Sequence, residues 1–127
     1  MDALDEFVQV AWALGDATRV RILVALAERA LCVCELVALT GLGQPAVSHH
    51  LAILESAAVV AHAREGRWTN YHLARPSGAH RAVEALRAIA SLGAQDAELV
   101  ELRRRVQGLD RTRLPRSARH PARGSRR

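Results

Sequence analysis

Five consecutive residues, Gly41-Leu42-Gly43-Gln44-Pro45, constrain the fold of this chain more than any others. The apolar pattern predicts a helix from about Val33 to Thr40, and Gly41 stops it. Leu42-Gly43-Gln44 then makes a tight turn. Pro45 suits the first turn of a further helix, where its missing N–H costs nothing. That helix carries Val47, Leu51 and Leu54 inward and ends near Ser56. Two helical segments precede this unit. In the first, Leu4, Phe7, Val8, Ala11 and Trp12 recur at helical spacing and form one face. Gly15 ends it, and Asp16 can cap the second, whose apolar positions are Val20, Ile22, Leu23, Leu26 and Ala27.

The period changes after the fourth helix. Val59 to Arg64 and Trp68 to Leu73 read as two strands, with Glu65-Gly66-Arg67 as the turn between them. Pro76-Ser77-Gly78 closes the hairpin. A long Ala-rich helix is expected from about Ala79 to Gln107, with a kink near Gly93. Its apolar positions Val83, Leu86, Ile89, Ala90, Leu99, Leu102 and Val106 form a packing stripe. The order is helix, helix, helix, turn, helix, hairpin, helix. The expected fold is mainly α with a small β-hairpin wing: a winged helix-turn-helix. Its first and last helices carry apolar faces that could close on a second copy, giving a dimer.

A chain of 127 residues, half of them apolar, supports one compact domain. It has no uncharged apolar run long enough for a membrane helix, and its acidic start, Met1-Asp2-Ala3-Leu4-Asp5-Glu6, is unlike a signal peptide. A cytoplasmic protein is expected, with no membrane partner. The net charge of +5 is unevenly distributed. Residues 108–127 hold seven arginines and one acid, giving +6, whereas residues 1–107 hold eleven arginines and twelve acids, giving −1. Residues 1–107 therefore form the expected domain. Residues 108–127 are expected to be a disordered Arg-rich tail, either inert or adding non-specific phosphate affinity.

In a winged helix-turn-helix the second helix of the motif enters the major groove of double-stranded DNA. Here it would present Gln44, Ala46, Ser48, His49 and His50. Glutamine can pair with adenine, serine with a base or phosphate, and Ala46 can touch a thymine methyl. Positions 45, 48, 49 and 52 share the face opposite Val47, Leu51 and Leu54. Arg64 and Arg67 flank Gly66 and could follow a phosphate backbone or enter a minor groove. Polar residues on one helix usually just cover a solvated face. The succession of helix, turn, helix and arginine-bearing hairpin favours DNA over that plainer reading. Residues 30–63 contain no lysine or arginine, so phosphate anchoring falls to the wing, Arg19, Arg21, the tail or helix N-termini. Adjacent histidines on a helix point about 100° apart, which suits DNA contact better than shared metal ligation.

Cys32 and Cys34 are the only cysteines. Isolated cysteines are often small buried hydrophobes, but a Cys-x-Cys pair in a reducing compartment points to soft-metal or redox chemistry. At i and i+2 of a regular helix two thiols point about 200° apart and cannot grip one ion. Either Cys32 precedes the helix in extended backbone, or ligation distorts the first turn. Both options place strain at the start of the helix that positions the DNA reader. Ligation would then shift the third helix and, with it, the fourth. The helix N-terminus is expected to lower a cysteine pKa and favour thiolate.

Four motifs together resemble the ArsR/SmtB family of bacterial metal-responsive repressors. They are Ala13-Leu14-Gly15-Asp16-Ala17-Thr18-Arg19-Val20-Arg21-Ile22-Leu23, Leu31-Cys32-Val33-Cys34-Glu35-Leu36, Pro45-Ala46-Val47-Ser48-His49-His50-Leu51 and Arg64-Glu65-Gly66-Arg67-Trp68. The resemblance covers roughly residues 4–107. It implies a homodimer that binds operator DNA without a cofactor and releases it when a metal or metalloid binds. The arsenic-responsive type implies Cys32 and Cys34 as ligands. One version of that motif has a third cysteine where this chain has Val37. Three readings follow for the pair. As(III) or Sb(III) could bind two thiolates plus water, hydroxide or a small thiol. A methylated trivalent arsenical could need only two sulfurs. Or the pair could be redox-active or respond to reactive sulfur, through a strained and labile disulfide or a persulfide. The family's zinc-type site on the last helix is not matched, since His80 is followed only by Gln95, Asp96 and Glu98. An enzyme such as a thiol oxidoreductase is disfavoured by the lack of a C-x-x-C motif, a phosphate loop or a placeable Ser-His-Asp set. A bare dimeric interaction module is disfavoured by the wing arginines and the Gln/Ser/His helix.

Overall fold

The computed structural model describes residues 2–74 and 81–114. The order of elements is α1 (Ala3–Leu14), α2 (Ala17–Glu28), β1 (Leu31–Cys32), α3 (Val33–Thr40), α4 (Gln44–Ser56), β2 (Val60–Glu65), β3 (Trp68–Leu73), α5 (Arg81–Gln95) and α6 (Ala97–Gln107), then a 3₁₀ turn at Arg111–Arg113. The fold is a winged helix-turn-helix, mostly helical with one small antiparallel sheet.

Local chemistry sets most of these boundaries. Asp2, Asp16 and Asp96 each accept the backbone N–H three residues on, and so cap α1, α2 and α6. Gly41 ends α3 in the left-handed region at φ +73°, and its N–H bonds the Val37 carbonyl. Gly43 precedes α4, with Pro45 in the first turn. Glu65 pairs with Trp68 across a two-residue loop. Gly66, at φ +60°, takes its first central position, as a type II′ hairpin turn requires.

α2 is the central element, touching α1, α3, α4, α5, α6 and β3. Ile22, Leu23 and Leu26 of α2 pack with Leu36 and Leu39 of α3, Val47, Leu51 and Leu54 of α4, and Ile89, Leu99, Leu102 and Val106 of the last two helices. Each such burial contributes about 1.5–3 kcal/mol. The helix-turn-helix is thereby anchored to the same core as the C-terminal helices.

Several expectations change. The long last helix is two helices broken at Asp96, whose carboxylate caps α6. There is no break at Gly93, where α5 packs close against Val24. Ala90 of the expected stripe is exposed, and the side chains of Val83 and Leu86 lie outside the described residues, as do Pro76, Ser77, Gly78 and Ala79. β1 was not anticipated. It pairs with β3, Leu31 opposite Tyr71 and Cys32 opposite Asn70, giving the sheet order β1-β3-β2. Val10 and Ala13 face inward from α1, while Leu4, Phe7, Val8 and Trp12 point out, each more than half exposed. Of the tail, residues 108–114 are described and lie against β3 and the wing turn, and residues 115–127 lie outside the described residues.

Candidate DNA-reading face and thiol site

The inward residues of α4 leave Ala46, Ser48 and His49 exposed on its outer face, with Gln44 half-buried at its start. His50 is half-buried, and its Nδ1 lies 3.2 Å from Arg19 Nη1. Arg19 itself is buried. Its Nε donates to the Ala13 carbonyl at 2.6 Å and its Nη2 to the Trp12 carbonyl at 3.1 Å, with the guanidinium 5.2 Å from the Trp12 ring. Arg19 thus bonds the last carbonyls of α1, that of Trp12 together with the Gly15 N–H, and fixes α4 against it through His50. Of the alternative phosphate anchors, Arg19 is therefore already buried and engaged. Arg21 is likewise engaged, 2.6 Å from Glu98 on α6.

The wing arginines are exposed. Arg64 bonds within the hairpin, to Thr69 Oγ1 at 3.3 Å and the Gly66 carbonyl at 3.4 Å. Arg67 stands 5.3 Å from the Trp68 ring and has no ion pair among the described residues. Arg64 and Arg67 thus put two exposed guanidinium groups at the hairpin tip, whereas Arg19 beside α4 is buried.

The two thiols meet at a junction. Cys32 ends β1 and is the N-cap residue of α3, with extended φ −83° and ψ 167°. Cys34 lies in the first turn of α3. Both are reduced and buried, and the Cys34 thiol lies close enough to Cys32 to feel its side chain. Of the two alternatives left by helical geometry, the structure adopts the first. One sulfur comes from a strand and the other from a helix, so they converge with no distortion of the helix. Val37 is half-buried one turn further on. Among the described residues no group of three His, Cys, Asp or Glu side chains is placed to hold a metal ion.

The electrostatics of this junction oppose thiolate formation. Burial first, then the hydrogen bond to Cys32 and the charges of Cys32 and Glu35, push the Cys34 thiol up to about 12. This corrects the expected lowering by the helix N-terminus. A partial positive charge there does not offset desolvation and a neighbouring carboxylate. Glu35 is almost wholly buried. Its Oε1 accepts the Cys32 N–H at 3.0 Å and its Oε2 accepts from Arg29 at 2.9 Å. The Cys32-x-x-Glu35 spacing is a capping-box pattern, so the sequence held a signal for this residue that went unread.

Three further residues around the site were missed. Arg29 reaches from Glu35 to the carbonyls of Val106 and Leu109. Asn70 faces Cys32 across the sheet, and Arg111 donates to Asn70 Oδ1 at 2.8 Å. Nothing local in the sequence announces the last two.

Residues 16–61 match the family of bacterial regulatory proteins named for arsR. Among curated proteins, the chain is 38% identical over 74 residues to an uncharacterized HTH-type transcriptional regulator of Methanocaldococcus jannaschii, covering 58% of this chain and 83% of that protein. It is 40% identical over 74 residues to a transcriptional repressor SmtB homolog of Synechocystis, covering 58% and 56% of the two chains. It is 44% identical over 61 residues to the arsenic resistance transcriptional regulator ArsR1 of Pseudomonas putida, covering 47% and 48%. The match thus spans about half the length of the last two relatives. No helix among the described residues is long and apolar enough to cross a membrane.

Proposed function

The chain belongs to the arsR family of bacterial regulatory proteins, as a DNA-binding transcriptional regulator and not an enzyme, and from that premise we propose a homodimeric cytoplasmic repressor whose operator is released when trivalent arsenic or antimony binds Cys32 and Cys34. The observation that carries this reading is the convergence of two buried thiols at the start of α3, the helix joined by one turn to the reading helix α4. Gln44, Ala46, Ser48, His49 and His50 would meet the major groove, with Arg64 and Arg67 on the backbone. The exposed α1 face of Leu4, Phe7, Val8 and Trp12, with Leu92 and Val100 of the last helices, supports a second copy as partner.

The raised pKa of the buried Cys34 thiol supports a trivalent metalloid over a divalent cation. When arsenous acid meets two thiols, two As–O bonds break and two As–S bonds form. Each displaced hydroxide leaves with a thiol proton as water, with no net charge and no redox change. One hydroxide remains as the third ligand. A monomethyl arsenical exchanges both hydroxides, and its carbon keeps the third position. A divalent cation must instead expel into solvent the proton that burial holds on Cys34. Cys32→Ser and Cys34→Ser test the reading. Both variants should bind promoter DNA as wild type does and no longer release it with arsenite. Release that persists in both would remove the thiols from the mechanism.

The proximity of the two free thiols also suits a second reading, in which peroxide or a persulfide oxidises the pair. Release by those oxidants, with none by arsenite or antimonite, would select it.

A further inference from the structure

The segment after α6 does more than trail from the domain. Leu109 accepts from Arg29 at 3.0 Å, and two residues on Arg111 places its guanidinium between the thiol junction and the wing. Its Nη1 donates to Asn70 Oδ1 at 2.8 Å and its Nη2 to Glu65 Oε1 at 2.6 Å, with the plane 4.5 Å from the Trp68 ring. Asn70 is the β3 residue opposite Cys32. Glu65 and Trp68 are the pair that closes the hairpin tip bearing Arg67. One planar fork therefore ties the residue facing the thiols to both strands at the wing tip. A second path runs from the Cys32 amide through Glu35 and Arg29 to the same C-terminal segment.

We propose that Arg111 is the positioning residue through which ligation of Cys32 and Cys34 reaches the wing. This rests on the thiol reading above. An atom bonded to two buried sulfurs fixes the end of β1 relative to the first turn of α3 and must find room among their packed neighbours. β1 is two residues long and its only strand partner is β3, so the displacement passes to Asn70. Because Arg111 holds Asn70, Glu65 and Trp68 together, the hairpin tip moves as a unit. A cavity of about 470 Å³ bordered by Arg29, Glu35, Asn70 and Arg111 gives these side chains room to re-pair.

The chain has two tryptophans, so a Trp12→Phe background leaves Trp68 as the reporter. The full-length protein is titrated with phenylarsine oxide, a dithiol-binding probe, with the adduct counted by intact mass and Trp68 emission followed. In the parent, one adduct per chain changes Trp68 emission. With Arg111→Ala the adduct still forms, but the emission change is lost. Arg111→Lys, which keeps the charge without the fork, falls between. In operator binding, Arg111→Ala holds DNA within about threefold of the parent but needs about tenfold more arsenical for release, within the usual range of coupling between sites. Arg113→Ala, whose side chain is 87% exposed and paired only within its own turn, behaves as the parent. An equal emission change and equal release in Arg111→Ala would overturn the proposal. So would an adduct that leaves Trp68 unchanged in the parent, or an equal loss in Arg113→Ala. No adduct at all would remove the thiol reading and this proposal together.

Discussion

Arg29→Ala removes the guanidinium from a buried carboxylate, and its cost can be worked from the contacts. The Glu35 side chain is 2% exposed and has two partners: the Cys32 amide at 3.0 Å and Arg29 at 2.9 Å. The substitution leaves only the amide. Deleting one member of a buried pair costs about 3–5 kcal/mol, because the remaining charge is desolvated and uncompensated. Arg29 is itself 40% exposed, so water can follow its departure and reduce the loss to about 2–3 kcal/mol. Against a total of about 5–15 kcal/mol this is a large share. Equilibrium urea unfolding at one fixed protein concentration measures it, since dimerisation would make stability concentration-dependent. The double variant Arg29→Ala/Glu35→Gln separates charge from packing. The glutamine oxygen still accepts the Cys32 N–H, and no charge is left stranded, so at least about 1 kcal/mol should return. A single variant within about 0.5 kcal/mol of wild type, or a double variant no better than the single, would refute the reasoning.

Gly41→Ala should lower stability by about 1–2 kcal/mol through backbone strain alone, since φ is +73° and a Cβ there meets nothing within 4 Å. Gly41→Asn should lose less by urea midpoint, and a neutral alanine variant would contradict the strain. The Cys34 thiol, ordinarily near 9.0, is pushed up to about 12 chiefly by burial, so the folded state keeps a proton that the unfolded chain gives up. Its contribution is intact below about pH 9 and is lost as pH rises toward 12, so Cys34→Ser should show a shallower alkaline decline in unfolding free energy. Identical declines would sink that assignment. Arg67→Ala should weaken operator binding across sequences and reduce the salt slope by about one. Unchanged salt dependence would exclude a phosphate contact.

The sequence was most legible where a boundary depends on a single local residue. Asp16, Gly41, Gly43 with Pro45, and Gly66 each act through their own caps, φ angles or missing donor, and the elements they bound lie within a residue or two of expectation. Gly93 misled because low helix propensity suggested a kink, whereas its close packing on Val24 keeps α5 unbroken. The true break, at Asp96, also carried a local signal. β1 was illegible because two residues have no period of their own, and pairing with β3 alone makes them a strand. The extended Cys32 was one of two options that helical geometry left open, and the pairing with β3 is what selects it. The fates of Arg19 and Arg111 were hidden for a related reason. An arginine's role is set by partners distant in sequence, such as His50 for the first and Asn70 for the second.

If the thiols are the sensing site, two routes would lead from them to DNA, and they differ in what resists motion. The route through α3 reaches α4 across the Gly41–Gly43 turn, where Thr40 Oγ1 donates to the Leu36 carbonyl and accepts the Leu42 N–H. Beyond that turn, shifting α4 means lifting Val47, Leu51 and Leu54 out of a close-packed core, at a cost of a few kcal/mol for each poorly refilled site. The route through β3 meets less resistance. From His62 to Glu65 the side chains of β2 are exposed, so tilting the hairpin tip disturbs ladder bonds and surface pairs but no core. A ligand of modest differential affinity shifts whichever element is cheaper to move. The wing should therefore yield before the reading helix. On the proposed thiol reading, ligation and Arg67→Ala should act on the same contacts, lowering affinity through the phosphate backbone and leaving any base preference set by Gln44 and Ser48 unchanged.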